Sequence, residues 1–200
     1  MIAAIFVLGK GGPYWGLPNI DVWDIERNAF GFRGPGPVIA HPPCERWGRY
    51  WSGGPSAKVK RRMGDDGGCF SFALKCVRDY GGVLEHPEGS HAFRVFDLPR
   101  PKQSGGWTDL DPFGGRSCCV AQGHYGHQAR KYTWLYGVGI NPKELIWGDF
   151  KGGKKIDLGF HSKEERARHI KTGICQRLSK RQRTVTPEPF RDLLISLVSP

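Results

Sequence analysis

The chain has 200 residues and a mass of 22.4 kDa, and 38% of it is hydrophobic, enough for one domain with a buried core. Lysine and arginine number 30 against 19 acidic residues, and the resulting net charge of +11 favours a polyanionic partner. The opening MIAAIFVLGKGG breaks at its glycines and no apolar run approaches the ~20 residues needed to span a bilayer, which argues against a membrane protein and for a soluble, intracellular one.

Ile2 to Leu8 is apolar and β-branched and predicts a buried strand, which runs into the glycine turn Gly9-Lys10-Gly11-Gly12-Pro13. In the following NIDVWDIERNAFGF, Asp21 and Asp24 flank Val22 and Trp23 ahead of a single helical turn. Val38 to Ala40 predicts a short strand ending at His41-Pro42-Pro43-Cys44, which places polar groups where open α/β sheets bind ligands. Residues 45–68 read as a long basic loop with Lys58, Lys60, Arg61 and Arg62. GCFSFALKCVRDYGG predicts a helix, because Phe70, Ala73, Leu74 and Val77 recur at helical spacing before Gly81-Gly82. Asp65-Asp66 read better as its start than as a magnesium site.

Val83-Leu84 gives a third strand, which leads to Glu85-His86-Pro87. Residues 97–117 form a Pro/Gly-rich loop long enough to suggest a substrate-facing insertion. Cys118 to Ala121 and Thr133 to Val138 are further apolar segments, the second a strand. Ser162 and Glu165 have capping-box spacing, and Ala167, Ile170, Ile174 and Leu178 continue as an apolar stripe. Eight basic residues between Lys163 and Arg183, among them Arg177, Lys180, Arg181 and Arg183, suit a phosphate backbone or a solvated face. A closing helix then starts at Thr186 and Pro187, so residues 161–200 form a basic helix followed by a core helix.

The six cysteines make neither a disulfide framework nor a zinc knuckle, although His41, Cys44, His124 and His127 leave a mixed metal site open. Cys44 follows two prolines that stiffen its backbone, a setting for an exposed nucleophile, with a buried structural thiol as the alternative. Glu85 at a strand end suits acid-base work or recognition of a base edge, or else caps a turn. Trp47, Trp51 and Trp107 suit either base stacking or the packing of their own loops.

Pro42-Pro43-Cys44, then Glu85, then Gln122-Gly123-His124-Tyr125-Gly126-His127-Gln128-Ala129-Arg130, resemble in order the nucleophile, glutamate and polar-strand motifs of DNA cytosine-5 methyltransferases. The resemblance covers residues 38–137. His86 stands where that family has asparagine, and His124 and Gly126 where it has arginines, with Arg130 or Lys131 as electrostatic substitutes. The resemblance implies a compact Rossmann-like methyltransferase domain over 1–200, with a mostly parallel sheet, long Gly/Pro-rich loops and a helical C-terminus. It implies Cys44 as the thiol that attacks a pyrimidine, Glu85 at the ring, and Gln122 and His124 supporting the base.

It also implies S-adenosyl-L-methionine as methyl donor, with Gly9, Gly11 and Gly12 at the cofactor and Asp21 or Asp24 at its ribose. The partner would be DNA with a flipped base, held by Lys58, Lys60, Arg61, Arg62, Arg130, Lys131 and the basic C-terminal residues. A second subunit could supply the recognition surface that a short chain lacks. Softer similarity to compact phage-encoded proteins implies action in a host cytoplasm. Two other classes stay open: a catalytically divergent protein that recognises a modified base, and a base-processing enzyme that needs no cofactor.

Overall fold

The computed structural model describes residues 1–53, 58, 61–151, 154, 156, 163–172 and 178–199. Six strands form one sheet: β1 (Ile2–Ile5), β2 (Ile20–Trp23), β3 (Val38–Ala40), β4 (Gly82–Pro87), β5 (Gly115–Ala121) and β6 (Tyr132–Val138). Its helices are α1 (Cys69–Tyr80), α2 (His91–Val95), α3 (Lys163–Thr172), α4 (Lys180–Thr184) and α5 (Glu188–Val198), with 3-10 turns at Ala29–Gly31 and Gln122–Tyr125. The strand order is β2-β1-β3-β4-β6-β5.

β1 pairs in parallel with both β2 and β3, and β4 adds in parallel to β3. β6 is antiparallel to both of its neighbours, β4 and β5. The sheet is thus mixed, which corrects the expectation of a mostly parallel Rossmann-like sheet. The cause is the short connection 122–131, whose 3-10 turn reverses the chain, whereas a parallel return needs a longer crossover. Strand composition could not reveal this, since a doubly buried strand reads alike in either direction.

Alternate residues of the central strands face opposite sides, as period-two geometry requires. Ala3, Ile5, Val38, Ala40 and Leu84 pack with Phe70, Ala73, Leu74 and Val77 of α1. Ile2, Ala4, Ile39, Val83 and Leu135 belong to a second cluster with Phe190, Leu194 and Leu197 of α5. β1 ends at Ile5, short of the predicted Leu8, because Phe6 adopts φ 57° and turns the chain away. β2 was not evident from the sequence, and its pairing with β1 is what makes it a strand.

Asp66 starts α1: Oδ1 accepts from the Gly68 amide at 3.0 Å, and Oδ2 accepts from the Phe70 amide and the Trp47 indole, both at 2.8 Å. Asp66→Ala is expected to lower stability by about 2 kcal/mol, read as a lower midpoint in urea, because it leaves helix-end and indole donors unpaired. At the other end Gly81 and Gly82 turn directly into β4. A Cβ on Gly82 would lie 2.0 Å from the Val38 carbonyl oxygen, so only glycine fits there.

Of the predicted apolar stripe, Ala167 and Ile170 are exposed on α3, Ile170 at 73%, Ile174 lies outside the described residues, and Leu178, beyond the helix, is buried. Ser162 lies outside the described residues, and a capping box forms instead at Ser179 and Gln182, ahead of α4. α5 begins one residue later than expected, with Pro187 as its N-cap. Among the described residues no helix is long and apolar enough to cross a membrane.

Candidate active site

β1 and β3 leave the sheet on either side of its topological switch point, where carboxyl-terminal strand ends create a crevice. His41 continues β3 by donating its amide to the Ile5 carbonyl at 3.1 Å. Pro42 is buried, while Pro43 and Cys44 are exposed. Beyond Cys44 the chain turns at once: the Trp47 and Gly48 amides donate to its carbonyl at 3.0 and 2.8 Å. Trp47 is buried against Phe70 and Phe96, so it anchors this loop, which is the packing role among the two its sequence left open.

The Cys44 thiol is held above its ordinary range. Desolvation by the surrounding protein and the Glu85 charge raise it, while Lys131 and the cysteine's own amide pull the other way. Cys44 is an exposed residue whose sulfur is partly desolvated and kept as a thiol, in the field of one carboxylate and one ammonium group.

Glu85 lies within β4, the strand beside β3, one residue past Leu84, which is in register with Ala40. Its Oε2 accepts from His41 Nδ1 at 3.1 Å, and its Oε1 accepts from Gln122 Nε2 at 3.2 Å. Gln122 is buried and also donates to Thr133 Oγ1 at 2.7 Å. His41 Nε2 in turn lies 2.8 Å from the hydroxyl of the fully buried Tyr14. Burial alone would raise the Glu85 pKa. The His41 hydrogen bond and the charges of His41, Lys131 and His86 outweigh it and bring it down to about 2.

His86 points into the core, where Nδ1 meets Ser90 Oγ at 2.7 Å and the ring packs edge-on against Phe70. Burial lowers its pKa to about 4 against the opposing Glu85 charge and Pro43 carbonyl, so it is neutral near pH 7. It sits beneath the Pro-Pro-Cys loop as an uncharged packing group.

The third motif divides. Gln122 joins Glu85, whereas His124 packs edge-on against Phe150 at 5.4 Å and makes no bond within the Glu85 chain. Arg130 is exposed and pairs with Asp149 at 2.9 Å. Lys131 has φ 40°, a strained value for a non-glycine residue, and burial lowers its pKa against the pull of Glu85 and Cys44. Lys131 thus belongs with Cys44 and Glu85, while Arg130 stays on the outer surface. Among the described residues no group of three or more His, Cys, Asp or Glu could hold a metal ion, and His41 is bonded instead to Tyr14 and Glu85.

The N-terminal candidates converge only in part. Asp24 follows β2 directly and lies against Gly9, where a Cβ would come within 2.0 Å of Asp24 Oδ2. Asp24 Oδ1 caps the Glu26 and Arg27 amides at 3.1 and 2.9 Å. Gly12 closes a turn by donating to the Gly9 carbonyl at 2.8 Å, and Gly11 is exposed on it. Asp21 is engaged by Arg27 and by the Trp23 indole, which removes it from service toward a ribose. Gly9 and Asp24 thus lie together beside the end of β2, while Asp21 is turned to Arg27 and Trp23.

Of the basic candidates, Lys58, Arg61, Arg62 and Arg181 are exposed. Arg183 donates to the Ile156 carbonyl at 3.0 Å, and Lys180 opens α4. Lys60 and Arg177 lie outside the described residues. In the 97–117 loop, Asp111 accepts from the Gly115 amide and the Tyr136 hydroxyl, near the start of β4 and at the opposite edge from Glu85. Trp51 is half-buried, and the Trp107 indole donates to the Lys143 carbonyl at 3.3 Å.

Tyr14 and Thr133 are the members of the polar chain that sequence reasoning missed, and His41 entered only as a metal ligand. No family model, no curated protein and no solved structure matches the chain.

Proposed function

We propose that this protein modifies a pyrimidine base in DNA through a covalent adduct on Cys44, and that a cytosine C5 methyl transfer is the reaction. The observation that carries this reading is an exposed thiol after β3 facing an ionised carboxylate within the adjacent β4, beside Lys131.

In this reaction the Cys44 thiol gives its proton to water, and its sulfur bonds to C6 as the C5–C6 electron pair shifts to C5, leaving C5 electron-rich. Glu85 is placed to accept from an amino group on the base edge, with Gln122 and His41 holding its orientation. The Lys131 cation offsets the negative charge that builds beside the thiolate. S-adenosylmethionine, with its ribose at Asp24 and its backbone near Gly9, would supply an electrophilic methyl group. Loss of the C5 proton and expulsion of Cys44 restore the aromatic ring. DNA is the partner that the +11 charge favours, with Arg61, Arg62 and Arg181 as exposed phosphate contacts and the base flipped into the site.

Transfer of label from S-[methyl-³H]adenosylmethionine to cytosine-containing DNA tests the reading. Label dependent on Cys44 and reduced about 10-fold or more in Asp24→Ala is expected. Absence of both transfer and methyl-donor binding by the folded protein would reject it. A second reading, recognition of a modified base without turnover, draws on the occupancy of both Glu85 oxygens by His41 and Gln122. Tight DNA binding without any covalent adduct would favour that second reading.

A further inference from the structure

Arg46 stands two residues past Cys44, in a loop whose backbone is held from several sides. The Trp47 and Gly48 amides donate to the Cys44 carbonyl, the Gly64 amide donates to the Arg46 carbonyl at 3.0 Å, and the His91 amide donates to the Trp47 carbonyl at 2.8 Å. The Trp47 indole is fastened to Asp66. The turn after the thiol, the returning end of the 45–68 loop and the start of α2 thus fix the backbone of Arg46 relative to Cys44.

The side chain has no counter-charge from the protein. Arg46 is half-buried, and its Nη1 is shut off from solvent without a hydrogen-bond partner among the described residues. The ion pairs that arginines make there join Arg27 to Asp21, Arg78 to Asp111, Arg130 to Asp149 and Arg191 to Asp192. The cations placed over aromatic rings are Arg27, Arg78, Arg100 and Arg130. Arg46 takes part in neither set. A guanidinium stays protonated under all ordinary conditions, so it cannot escape the cost of burial by becoming neutral. A desolvated charge without a partner opposes folding, and a bound anion offsets that cost.

The chemistry of the group selects the anion. The planar fork of a guanidinium donates two parallel hydrogen bonds to an oxyanion, and phosphate oxygens match that geometry. The surrounding sequence favours the same charge, since residues 45–62 hold six basic residues against Glu45 alone. Arg61 and Arg62 are exposed just before Gly64, whose amide is bonded to Arg46. The main charges acting on the Cys44 sulfur are those of Glu85, Lys131 and Glu45, and the main ones acting on Glu85 are those of His41, Lys131 and His86. Arg46 therefore stands apart from the reacting groups, as the phosphate of a nucleotide stands apart from C6 of its ring.

We propose that Arg46 is the anion-binding residue of the Cys44 site, and that its ligand is a phosphate ester carried by the pyrimidine substrate. The proposal rests on the reading of Cys44 as the place where a pyrimidine binds. The phosphate belongs either to the DNA backbone or to a free nucleotide, and the two sources separate in the test.

That test uses the full chain without a methyl donor, as wild type, Arg46→Gln and Arg46→Lys. Deoxycytidine 5′-monophosphate and deoxycytidine share a base and differ by the phosphate, and each is added during urea unfolding, because a ligand that binds only the folded chain raises the midpoint. Wild type is expected to bind the monophosphate about 10-fold or more tightly than the nucleoside. Arg46→Gln is expected to lose that preference, and Arg46→Lys, which keeps the charge without the fork, to fall between the two. In parallel, anisotropy of a fluorescein-labelled, cytosine-containing duplex is followed as salt is raised. Loss of one phosphate contact in Arg46→Gln is expected to reduce the slope of log affinity against log salt by about 0.9.

A change in the monophosphate preference alone identifies a free nucleotide as the source, and a change in the salt slope alone identifies the DNA backbone. Either supports the site. A preference and a slope that are both unchanged in Arg46→Gln overturn it, as does failure of the folded wild type to bind any of the three probes. Without ligand, Arg46→Gln is expected to unfold at no lower urea concentration than wild type, since it removes a charge that nothing in the chain offsets. Loss of fold in that variant would show that the chain itself holds the guanidinium, which also overturns the proposal. Arg46-dependent phosphate binding without label transfer to DNA would retire methyl transfer and leave the phosphate site standing, and label transfer without any Arg46 dependence would do the reverse.

Discussion

Cys44→Ser is expected to abolish covalent capture of DNA that carries 5-fluorocytosine when S-adenosylmethionine is added, with wild-type protein forming an adduct that survives denaturing electrophoresis. Fluorine at C5 cannot leave as a proton does, so once the sulfur has bonded to C6 and C5 has been substituted, the enzyme has no route to release its product. Serine presents a hydroxyl that is a far weaker nucleophile than a thiol at the same position, and the expected loss is about 10³-fold or more in adduct formation. The fold should survive, because Cys44 is exposed and the contacts of its loop run through its carbonyl and through Trp47. Equal capture by wild type and variant would place the nucleophile elsewhere. Absence of capture by either, with DNA bound, would remove the covalent mechanism.

Glu85→Gln is expected to change both activity and the acid limb of stability. The Glu85 pKa is depressed to about 2 in the folded chain, against an ordinary carboxylate value near 4.5. A depressed carboxylate contributes stability that is fully present above the unfolded value and is lost as pH falls through the folded value. The wild type should therefore lose stability between about pH 4.5 and pH 2, by on the order of 3 kcal/mol if this group acts alone. Glutamine cannot ionise, so urea midpoints of the variant should lie below the wild type at pH 7 and converge with it as pH approaches 2. Base modification should fall by about 100-fold or more, because an amide presents only one acceptor and cannot carry the charge that pairs with His41. Parallel stability profiles over that pH window would show that the His41–Glu85 pair does not persist in solution.

Several elements were legible because their signals are local. β3 occupies the predicted residues, Val38–Ala40, since three apolar residues bounded by prolines admit little else. α1 follows the spacing of Phe70, Ala73, Leu74 and Val77 and stops at the two glycines, and Asp66, two residues before its N-cap Gly68, accepts from the Phe70 amide. Cys44 and Glu85 were each picked out locally, as a Pro-Pro-Cys segment and a strand glutamate after short apolar runs, and only the resemblance joined them as a pair. Their approach follows once those two runs pair side by side.

Other features were not local and were misread or missed. Ile20–Trp23 carries no strong strand pattern and becomes β2 only through its register with β1. Ile170 looked like part of a buried stripe, yet helical spacing states which residues share a face and not whether anything covers that face. His124 and Gln122 are two residues apart, but the 3-10 turn sends one to Phe150 and the other to Glu85. Asp21 and Asp24 looked equivalent, and Arg27 with the Trp23 indole distinguishes them.

By itself the sequence determined where the chain is apolar, where it must turn, that its charge is strongly positive, and which positions carry a thiol, a carboxylate or an imidazole. The tertiary structure alone decided the antiparallel placement of β6, the withdrawal of His124 and Asp21, and the row from Tyr14 through His41 to Glu85 and Gln122. The physical reason is the range of the forces involved. Burial pattern and backbone preference act within a few residues, whereas a hydrogen bond between positions 14 and 41, or 85 and 122, exists only after the strands have set the distance.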